Sequence, residues 1–246
     1  MTSFASLWEG LLNIIFPQEL LCPLCQNKPL AGAILCSACL KEIIPRSKDF
    51  GQCQTCGKWG PFQPGQNCRE CQGTRSTFTL ARGVGPYQGL LKEAIYALKY
   101  TGRRTLAKPL GQLMASEVLS INDYGQVDLV VPVPLHHHKL RQRGFNQAEL
   151  LAKEISKSIR VPLASGALMR IKETIAQSKL SKTERQLNLD GAFVLKGKRL
   201  VKGKVILLVD DILTTGRTAS ECARLLMDGG AKRVAIITLA TGSIKE

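Results

Sequence analysis

The fold is decided by Val205-Ile-Leu-Leu-Val-Asp-Asp-Ile-Leu-Thr-Thr-Gly-Arg-Thr218, where five aliphatic residues precede two carboxylates and a short hydroxyl-bearing turn. An aliphatic run of this length is typical of a strand in the middle of a parallel sheet, buried on both faces. We predict that the strand ends at Asp210 and Asp211, and that a helix containing Ala219 to Met227 follows the turn. Ligands of open α/β sheets bind outside the carboxyl ends of the strands, so this corner is a candidate ligand site.

The residue types at this corner suit a phosphorylated sugar. Backbone N–H groups of the turn and the helix dipole can hold a phosphate. The two carboxylates can accept hydrogen bonds from neighbouring ribose hydroxyls. The alternative is an ordinary strand–turn–helix corner, but two adjacent carboxylates at a buried strand end are costly without a polar partner. The pattern therefore favours a ligand site.

A second, basic corner follows the predicted strand from Val127 to Pro134. Its cations are Lys139, Arg141 and Arg143. Gly144 comes next, and Asn146 is the predicted N-cap of another helix, with Glu149 three residues later. If both strands belong to one parallel sheet, this corner lies on the same rim as Asp210 and suits a pyrophosphate. The alternative is a solvated basic loop.

Three histidines, His136 to His138, lie in the same segment. We predict a solvated loop there rather than a metal site, because three adjacent side chains of an extended loop cannot all face one ion.

Four Cys-x-x-Cys pairs occupy the N-terminal third of the chain. They are Cys22/Cys25, Cys36/Cys39, Cys53/Cys56 and Cys68/Cys71. This spacing predicts two tetrahedral zinc sites, each with four cysteine ligands and a structural role, since all eight ligands are present. Disulfides are the alternative, and the absence of a secretory signal disfavours them. We prefer sequential pairing, first pair with second and third with fourth, but an interleaved arrangement satisfies the same spacing.

Composition and charge indicate a large domain, a small domain and an anionic partner. The chain has 246 residues, and 34 Lys and Arg against 19 Asp and Glu give it a net charge of +15. Residues 1–80 contribute only +2 of this charge, and residues 81–246 contribute +13. A basic surface on the larger domain favours nucleic acid or nucleotide phosphate. We place the boundary between residues 1–76 and residues 77–246.

The N-terminal segment gives no sign of export. Apolar residues recur at helical spacing from Phe4 to Ile15, and Pro17 ends the pattern. We predict a helix that packs on the protein body, since a membrane-surface helix would carry Lys or Arg on its polar face. No apolar run is long enough to span a membrane, and no basic segment precedes Glu9. These features predict a cytoplasmic protein.

Strands that alternate with helices along residues 78–240 predict a doubly wound parallel sheet. A basic cluster lies before its central strand, at Lys196, Lys198, Arg199, Lys202 and Lys204. Two interpretations stay open for this cluster. It is either a solvated edge that discourages aggregation or a patch that follows the backbone of single-stranded DNA.

These motifs together resemble two known groups. The stretch from Val209 to Thr218 resembles the motif of type I phosphoribosyltransferases that binds phosphoribosyl pyrophosphate (PRPP). The whole chain is similar to the ComF family, which joins a phosphoribosyltransferase-like domain to an N-terminal double zinc ribbon. The matching segments are Ile15-Phe-Pro17, the four cysteine pairs, Leu98-Lys-Tyr100, Val131-Pro-Val-Pro134, Arg141 to Gln147, Arg170 with Gln177, Arg185 and Asn188, and Ala192-Phe193.

The resemblance implies a fold, ligands and a role. The fold is a type I phosphoribosyltransferase-like parallel sheet with a zinc-ribbon module. Asp210 and Asp211 would bind the ribose. The 5′-phosphate would be bound by Thr214, Thr215, Gly216, Arg217 and Thr218, and the pyrophosphate by Arg141, Arg143, Gly144 and Asn146. Magnesium would accompany PRPP. The family also implies work in natural competence, on single-stranded DNA in the cytoplasm beside helicase and recombination proteins.

Three functions stay open at this point. The first is a PRPP-binding protein or phosphoribosyltransferase in DNA uptake, and the second is a nucleobase salvage enzyme. The third is a non-catalytic DNA-binding adaptor. No hood for a nucleobase can be recognised, so neither turnover nor the acceptor is predicted, and the oligomeric state is left open.

Overall fold

The computed structural model describes residues 21–27, 33–44, 50–73, 76–172 and 191–244. The predicted helix from Phe4 to Ile15 lies outside these residues, as do Gln177, Arg185 and Asn188.

The centre of the fold is a sheet of four parallel strands. In chain order they are β3 (Ala81–Pro86), β4 (Leu129–Pro132), β7 (Val205–Leu213) and β8 (Arg233–Thr241). Their order across the sheet is β3-β8-β7-β4, and every neighbouring pair is parallel. The predicted parallel sheet is confirmed, with the aliphatic run from Val205 in a central strand.

The central strand is longer than the sequence predicted. We expected it to end at Asp210 and Asp211, but β7 continues to Leu213. The reason is pairing with β8, which extends through Asp210↔Thr238, Ile212↔Ala240 and Leu213↔Thr241. The acidic pair therefore lies within the strand, near its carboxyl end, where the neighbouring backbone fixes its position.

Helices cover both faces of this sheet. Helices α2 (Gly89–Tyr100), α3 (Ala107–Ser120) and α5 (Gln147–Ile159) share one core with Leu207 and Val209. Helix α7 (Arg217–Asp228) packs in the other core, with Ile206 and Leu208. Successive strand residues point to opposite faces, so the aliphatic run of β7 supplies both cores. The doubly wound arrangement is confirmed.

Shorter elements lie around this body. Helix α1 (Ser37–Ile43) and the antiparallel pair β1 (Gly51–Gln52) and β2 (Trp59–Gly60) belong to the cysteine-rich segment. A second antiparallel pair joins β5 (Leu168–Arg170) to β6 (Phe193–Leu195). Helix α4 (His137–Arg143) follows β4, and helix α6 (Lys198–Val201) precedes β7.

The histidine segment differs from its prediction. His136 is only 4% exposed and immediately precedes α4. The His136 carbonyl accepts from the Leu140 N–H at 2.9 Å, which closes the first turn of that helix. Helix formation draws the three imidazoles together, and their candidate ligand nitrogens lie within 4.8 Å of one another. The prediction of an extended loop whose three side chains cannot all face one ion was therefore wrong, although His137 and His138 are exposed as predicted. Ring centroids only 4.1 and 4.4 Å apart for His136–His137 and His137–His138 indicate packing of the rings against each other.

Candidate functional site

The turn after β7 forms an open corner at the carboxyl edge of the sheet. Gly216 adopts φ +74°, the left-handed conformation that L side chains rarely adopt, and α7 begins at the next residue. Thr214 and Thr215 are exposed. A depression of about 50 Å³ is lined by Asp210 and residues 212–219. The corner thus offers hydroxyls and a helix N-terminus to a small anion beside a carboxylate.

The two carboxylates of the acidic pair face different surroundings. Asp210 lines the depression, and its Oδ1 accepts from the Asp211 backbone N–H at 2.8 Å. Burial raises the pKa of Asp210 to about 7, and the neighbouring charge of Asp211 adds to the rise. Asp211 is 4% exposed. Adjacent residues of a strand point to opposite faces, so the pair reaches both sides of the sheet.

Lys99, at the end of α2, provides the polar partner that a buried carboxylate needs. Its Nζ lies 2.7 Å from Asp211 Oδ2, and the two side chains are 16% and 6% exposed. Sequence reasoning assigned no role to Lys99. The only local indication of a role was its place next to Leu98, because the buried residues of α2 are otherwise apolar.

A basic cavity of about 500 Å³ lies beside this ion pair. Its lining residues are Lys99, Tyr100, Gly102, Arg104, Lys139, Gln142, Arg143 and Phe145. The Arg143 guanidinium carbon lies 5.1 Å from the centroid of the Tyr100 ring, and that of Arg104 lies 4.5 Å from the centroid of Phe145. These stacked guanidiniums hold positive charge at fixed positions around the cavity.

The predicted pyrophosphate residues have different environments. Arg143 lines the cavity and donates to Gln147 Oε1, whereas Arg141 is exposed and lies outside the lining. Gly144 ends α4 with φ +77°, and a Cβ there would meet Arg104 Nη2 at 2.9 Å. The structure thus brings Arg143 to the cavity and Gly144 against Arg104 of its lining, and does not bring Arg141 there.

Asn146 fixes the loop that carries these residues. Its Oδ1 accepts from the Ala148 N–H at 3.1 Å, which confirms the predicted N-cap of α5. Its Nδ2 donates to the Val133 carbonyl at 3.0 Å, and the residue is 9% exposed. Both polar groups of this side chain are engaged inside the protein, so its contact with a ligand stays a prediction.

The acidic corner and the basic corner are neighbours in space. Strands β4 and β7 are adjacent and parallel, with Pro132 opposite Val209. Lys99 contacts Asp211 and also lines the cavity that contains Arg143. The predicted common rim is confirmed, and Lys99 is the residue that joins its two halves.

The eight N-terminal cysteines form two separate clusters. One contains Cys22, Cys25, Cys36 and Cys39, and the other contains Cys53, Cys56, Cys68 and Cys71. The predicted sequential pairing is confirmed. Sulfur–sulfur distances of 3.8 Å for Cys22–Cys39 and Cys25–Cys36, and 3.7 Å for Cys56–Cys68, rule out disulfides between those atoms.

These sulfur distances test whether zinc fits. Four thiolates at about 2.3 Å from a tetrahedral zinc ion lie about 3.8 Å from one another. Both the donor type and the observed spacing therefore suit structural zinc, with four protein ligands in each cluster.

The second cysteine cluster lies against the candidate ligand site. The backbone N–H of Trp59 donates to the Gly242 carbonyl at 3.0 Å, and Thr241 Oγ1 donates to the Gly57 carbonyl at 2.5 Å. A cleft of about 340 Å³ separates this ribbon from the turn, with residues 213–216 on one side and Lys58 and Glu70 on the other. The ribbon thus covers part of the sheet edge at which the turn lies.

Comparison with known proteins agrees with this arrangement. A model of the phosphoribosyl transferase domain matches residues 143–246, and a model of the double zinc ribbon domain matches residues 11–72. Competence protein F of Haemophilus influenzae is 31% identical over 218 residues, which cover 87% of this chain and 93% of that protein. The chain belongs to the ComF family.

Other relatives of this ComF chain are similar over most of their length. DNA utilization protein YhgH of Escherichia coli K12 is 32% identical over 220 residues, covering 88% of this chain and 94% of the relative. Competence protein ComFC of Bacillus subtilis is 30% identical over 240 residues, covering 94% and 88%. The predicted family and fold class are both confirmed.

The comparisons also bear on the organisation of this ComF chain. All eight cysteines fall within the residues that match the double zinc ribbon model. The boundary after residue 76 stays a prediction. In the part of the chain that the structure describes, no helix has the length and apolar character needed to cross a membrane.

Proposed function

We propose that this chain is a PRPP-binding, phosphoribosyltransferase-like protein that acts in DNA uptake or utilisation, on or near single-stranded DNA in the cytoplasm. The observation that carries the proposal is the ion pair between Lys99 and Asp211. This ion pair connects two features of the sheet edge. One is the acidic pair near the end of β7 with the turn that follows it, and the other is the cavity lined by arginine and lysine. PRPP needs that combination, because it presents ribose hydroxyls between a 5′-phosphate and a pyrophosphate.

Each part of the ligand has a counterpart at this edge. Asp210 and Asp211 hold the ribose hydroxyls, and Thr214, Thr215, Gly216, Arg217 and Thr218 surround the 5′-phosphate. Arg143 supplies charge to the pyrophosphate from the cavity, and the exposed Arg141 adds charge from outside its lining. Gly144 and Asn146 shape the loop that carries both arginines. The Asp210 carboxylate and the phosphate oxygens of PRPP are the ligand type that magnesium prefers, so they would hold the ion that accompanies PRPP.

The arrangement also indicates how these residues would assist transfer of the phosphoribosyl group. Pyrophosphate departure from the ribose C1 leaves positive charge on the sugar and negative charge on the leaving group. Lys99 and Arg143 stabilise that negative charge, and the acidic pair keeps the sugar oriented. Magnesium adds charge stabilisation when bound.

Binding of PRPP is the direct test. Isothermal titration with PRPP and Mg²⁺ is expected to give saturable binding to the wild type. Asp210→Asn/Asp211→Asn is expected to lose it, because an amide oxygen is a weaker acceptor for ribose hydroxyls. Asp228→Asn, an exposed acidic site on α7 that pairs with Arg224, is the matched control. Absence of wild-type binding at millimolar PRPP would reject the proposal.

The salvage and adaptor functions make different predictions. A salvage enzyme releases pyrophosphate when PRPP is supplied with a free nucleobase and has no affinity for DNA. An adaptor binds single-stranded DNA without PRPP. Titration of a labelled oligonucleotide over a salt series separates these outcomes, since phosphate contacts make affinity fall with salt.

A further inference from the structure

Two tyrosines form an exposed pair on α2, beside the basic cavity. Tyr96 and Tyr100 are 59% and 63% exposed, and their ring centroids lie 5.0 Å apart. Residues four apart on a helix lie on the same side, so the pair forms one continuous aromatic surface. Of the other described tyrosines and tryptophans, Trp59 and Tyr124 are buried and Tyr87 is 37% exposed. Two adjacent aromatic rings that stay exposed do not gain the free energy that burial would provide. Exposed apolar surface of this kind favours a binding role.

The pair is continuous with positive charge. Tyr100 itself lines the basic cavity with Lys99, Arg104, Lys139 and Arg143, and Arg143 stacks on its ring. Aromatic rings beside a groove of cations are the combination that binds single-stranded nucleic acid. The bases stack on the rings, and the phosphates follow the positive charge.

The basic cluster from Lys196 to Lys204 lies at the opposite edge of the sheet. Lys204 immediately precedes β7, whereas the proposed PRPP corner follows the end of that strand. The eight steps between the first and last of the nine residues of β7, at about 3.3 Å each, separate the two edges by roughly 26 Å. The exposed large apolar residue within that cluster is Leu200, which offers no ring for stacking. This comparison decides between the two basic surfaces.

We propose that single-stranded nucleic acid binds across Tyr96 and Tyr100, with its phosphates passing along the side of the cavity that Arg104 and Lys139 line. The inference rests on the proposed function, because it locates the DNA-binding surface of that function. It places the strand at the same sheet edge as the PRPP corner and leaves the Lys196–Lys204 cluster as a solvated edge.

Aromatic substitutions test the stacking surface. Anisotropy of a labelled oligothymidine is measured with the zinc-loaded full chain, and Tyr96→Leu/Tyr100→Leu is expected to weaken binding by about tenfold or more, since stacking is lost for each base. Tyr96→Phe/Tyr100→Phe keeps the rings and is expected to stay within about twofold of the wild type. Tyr87→Leu, at a tyrosine outside the cavity lining, is the control and should not change affinity.

Charge substitutions test the path of the phosphates. Arg104→Ala/Lys139→Ala is expected to reduce the slope of log affinity against log salt by about 1.4, at about 0.7 for each phosphate contact. Lys198→Ala/Arg199→Ala removes the same charge from the opposite edge and is expected to leave the slope unchanged. A larger effect of the second pair would overturn the inference.

Failure of this inference can be told apart from failure of the proposed function. DNA binding at wild-type strength in Tyr96→Leu/Tyr100→Leu would reject the tyrosine surface and leave the proposed function standing. Absence of wild-type DNA binding at low salt sinks the inference together with the DNA part of the proposed function. PRPP titration of the same variants, and their melting temperatures, show whether the PRPP corner and the fold are intact.

Discussion

Asp210 is held by the fold in a state that opposes its ionisation. Burial is the largest cause and the charge of Asp211 the next, and together they raise the pKa of Asp210 to about 7 from an ordinary value of 3.8. A raised acid pKa means that the folded state binds the proton more tightly than the unfolded state. The contribution of Asp210 to stability is therefore fully present below pH 3.8 and is lost as pH rises through about 7.

Asp210 should therefore destabilise the protein at high pH, where it is ionised. Asp210→Asn removes the cost of ionisation, so it should stabilise the protein more at pH 8 than at pH 5. We expect a gain in melting temperature of about 2–4 °C at pH 8, which is roughly 1 kcal/mol for a chain of this size. Thermal unfolding followed by circular dichroism measures it, with Asp228→Asn as the exposed control. Equal gains at the two pH values would contradict the electrostatic explanation.

Lys99 leads to the second prediction. Lys99→Met leaves the carboxylate of Asp211 buried without its cation, and breaking one side of a buried ion pair costs about 3–5 kcal/mol. Lys99→Met/Asp211→Leu removes both charges and should recover most of that stability. Urea unfolding of the single and double variants gives the coupling energy. A double variant no more stable than Lys99→Met would show that the pair is not the source of the effect.

The strand–turn–helix unit around Gly216 determines the third prediction, at the scale of elements. A Cβ at Gly216 meets no atom within 4 Å, but φ +74° strains any other residue. Gly203 is a matched site with φ +72° and equally open space, before β7 instead of after it. Gly216→Ala and Gly203→Ala should each cost about 1 kcal/mol.

Their effects on ligand binding should differ. Only Gly216→Ala moves the turn that we assign to the 5′-phosphate, so only this variant should weaken PRPP binding. Isothermal titration compares the two variants at equal stability loss. If Gly203→Ala weakens binding as much, general destabilisation is the cause, and the turn has no specific role.

The same elements show what local sequence could predict. The aliphatic run identified β7, and the small turn identified the start of α7, because both depend on residues adjacent in the chain. The end of β7 was placed too early, because pairing with β8 carries the strand past the acidic pair to Leu213. Asn146 was recognised as an N-cap, since capping is a local rule.

Contacts between distant segments were beyond local patterns. The ion pair of Lys99 and Asp211 depends on how α2 packs on β7, which no spacing within either segment encodes. Cysteine spacing identified all eight candidate ligands but satisfied two pairings, and only the positions of the sulfurs decided between them. The prediction for the histidine segment failed because the helix α4 brings together rings that an extended chain would separate.

At the scale of the whole molecule, the first cysteine cluster is part of the main core. Cys22, Cys36 and Cys39 pack in the same buried cluster as Ile95 and Leu98 of α2. The Glu42 carboxylate accepts from the Leu90 N–H at 3.1 Å, and Arg103 Nη2 donates to the Pro23 carbonyl at 2.8 Å. The ribbon therefore supports the helix that carries Lys99 and the tyrosine pair, so zinc bound to this cluster would stabilise more than the ribbon's own short segment.

This coupling yields the fourth prediction. Cys22→Ser/Cys25→Ser should lower the bound zinc from two ions to one per chain, because the remaining thiolates no longer complete a tetrahedral site. Cys222→Ser is the control, because Cys222 is buried on α7 and belongs to neither cluster, so both zinc ions should remain. Metal content is measured by mass spectrometry of the purified proteins.

The thermal transition then decides whether the ribbon and the sheet unfold together. Since zinc binding contributes to folding free energy, the Cys22→Ser/Cys25→Ser variant should melt at a lower temperature. The loss should appear in the whole far-ultraviolet signal, in one cooperative transition, because the ribbon residues share the core of α2 and the sheet. A variant with one zinc and an unchanged main transition would mean that the ribbon folds as an independent unit, and that its contacts with α2 contribute little to stability.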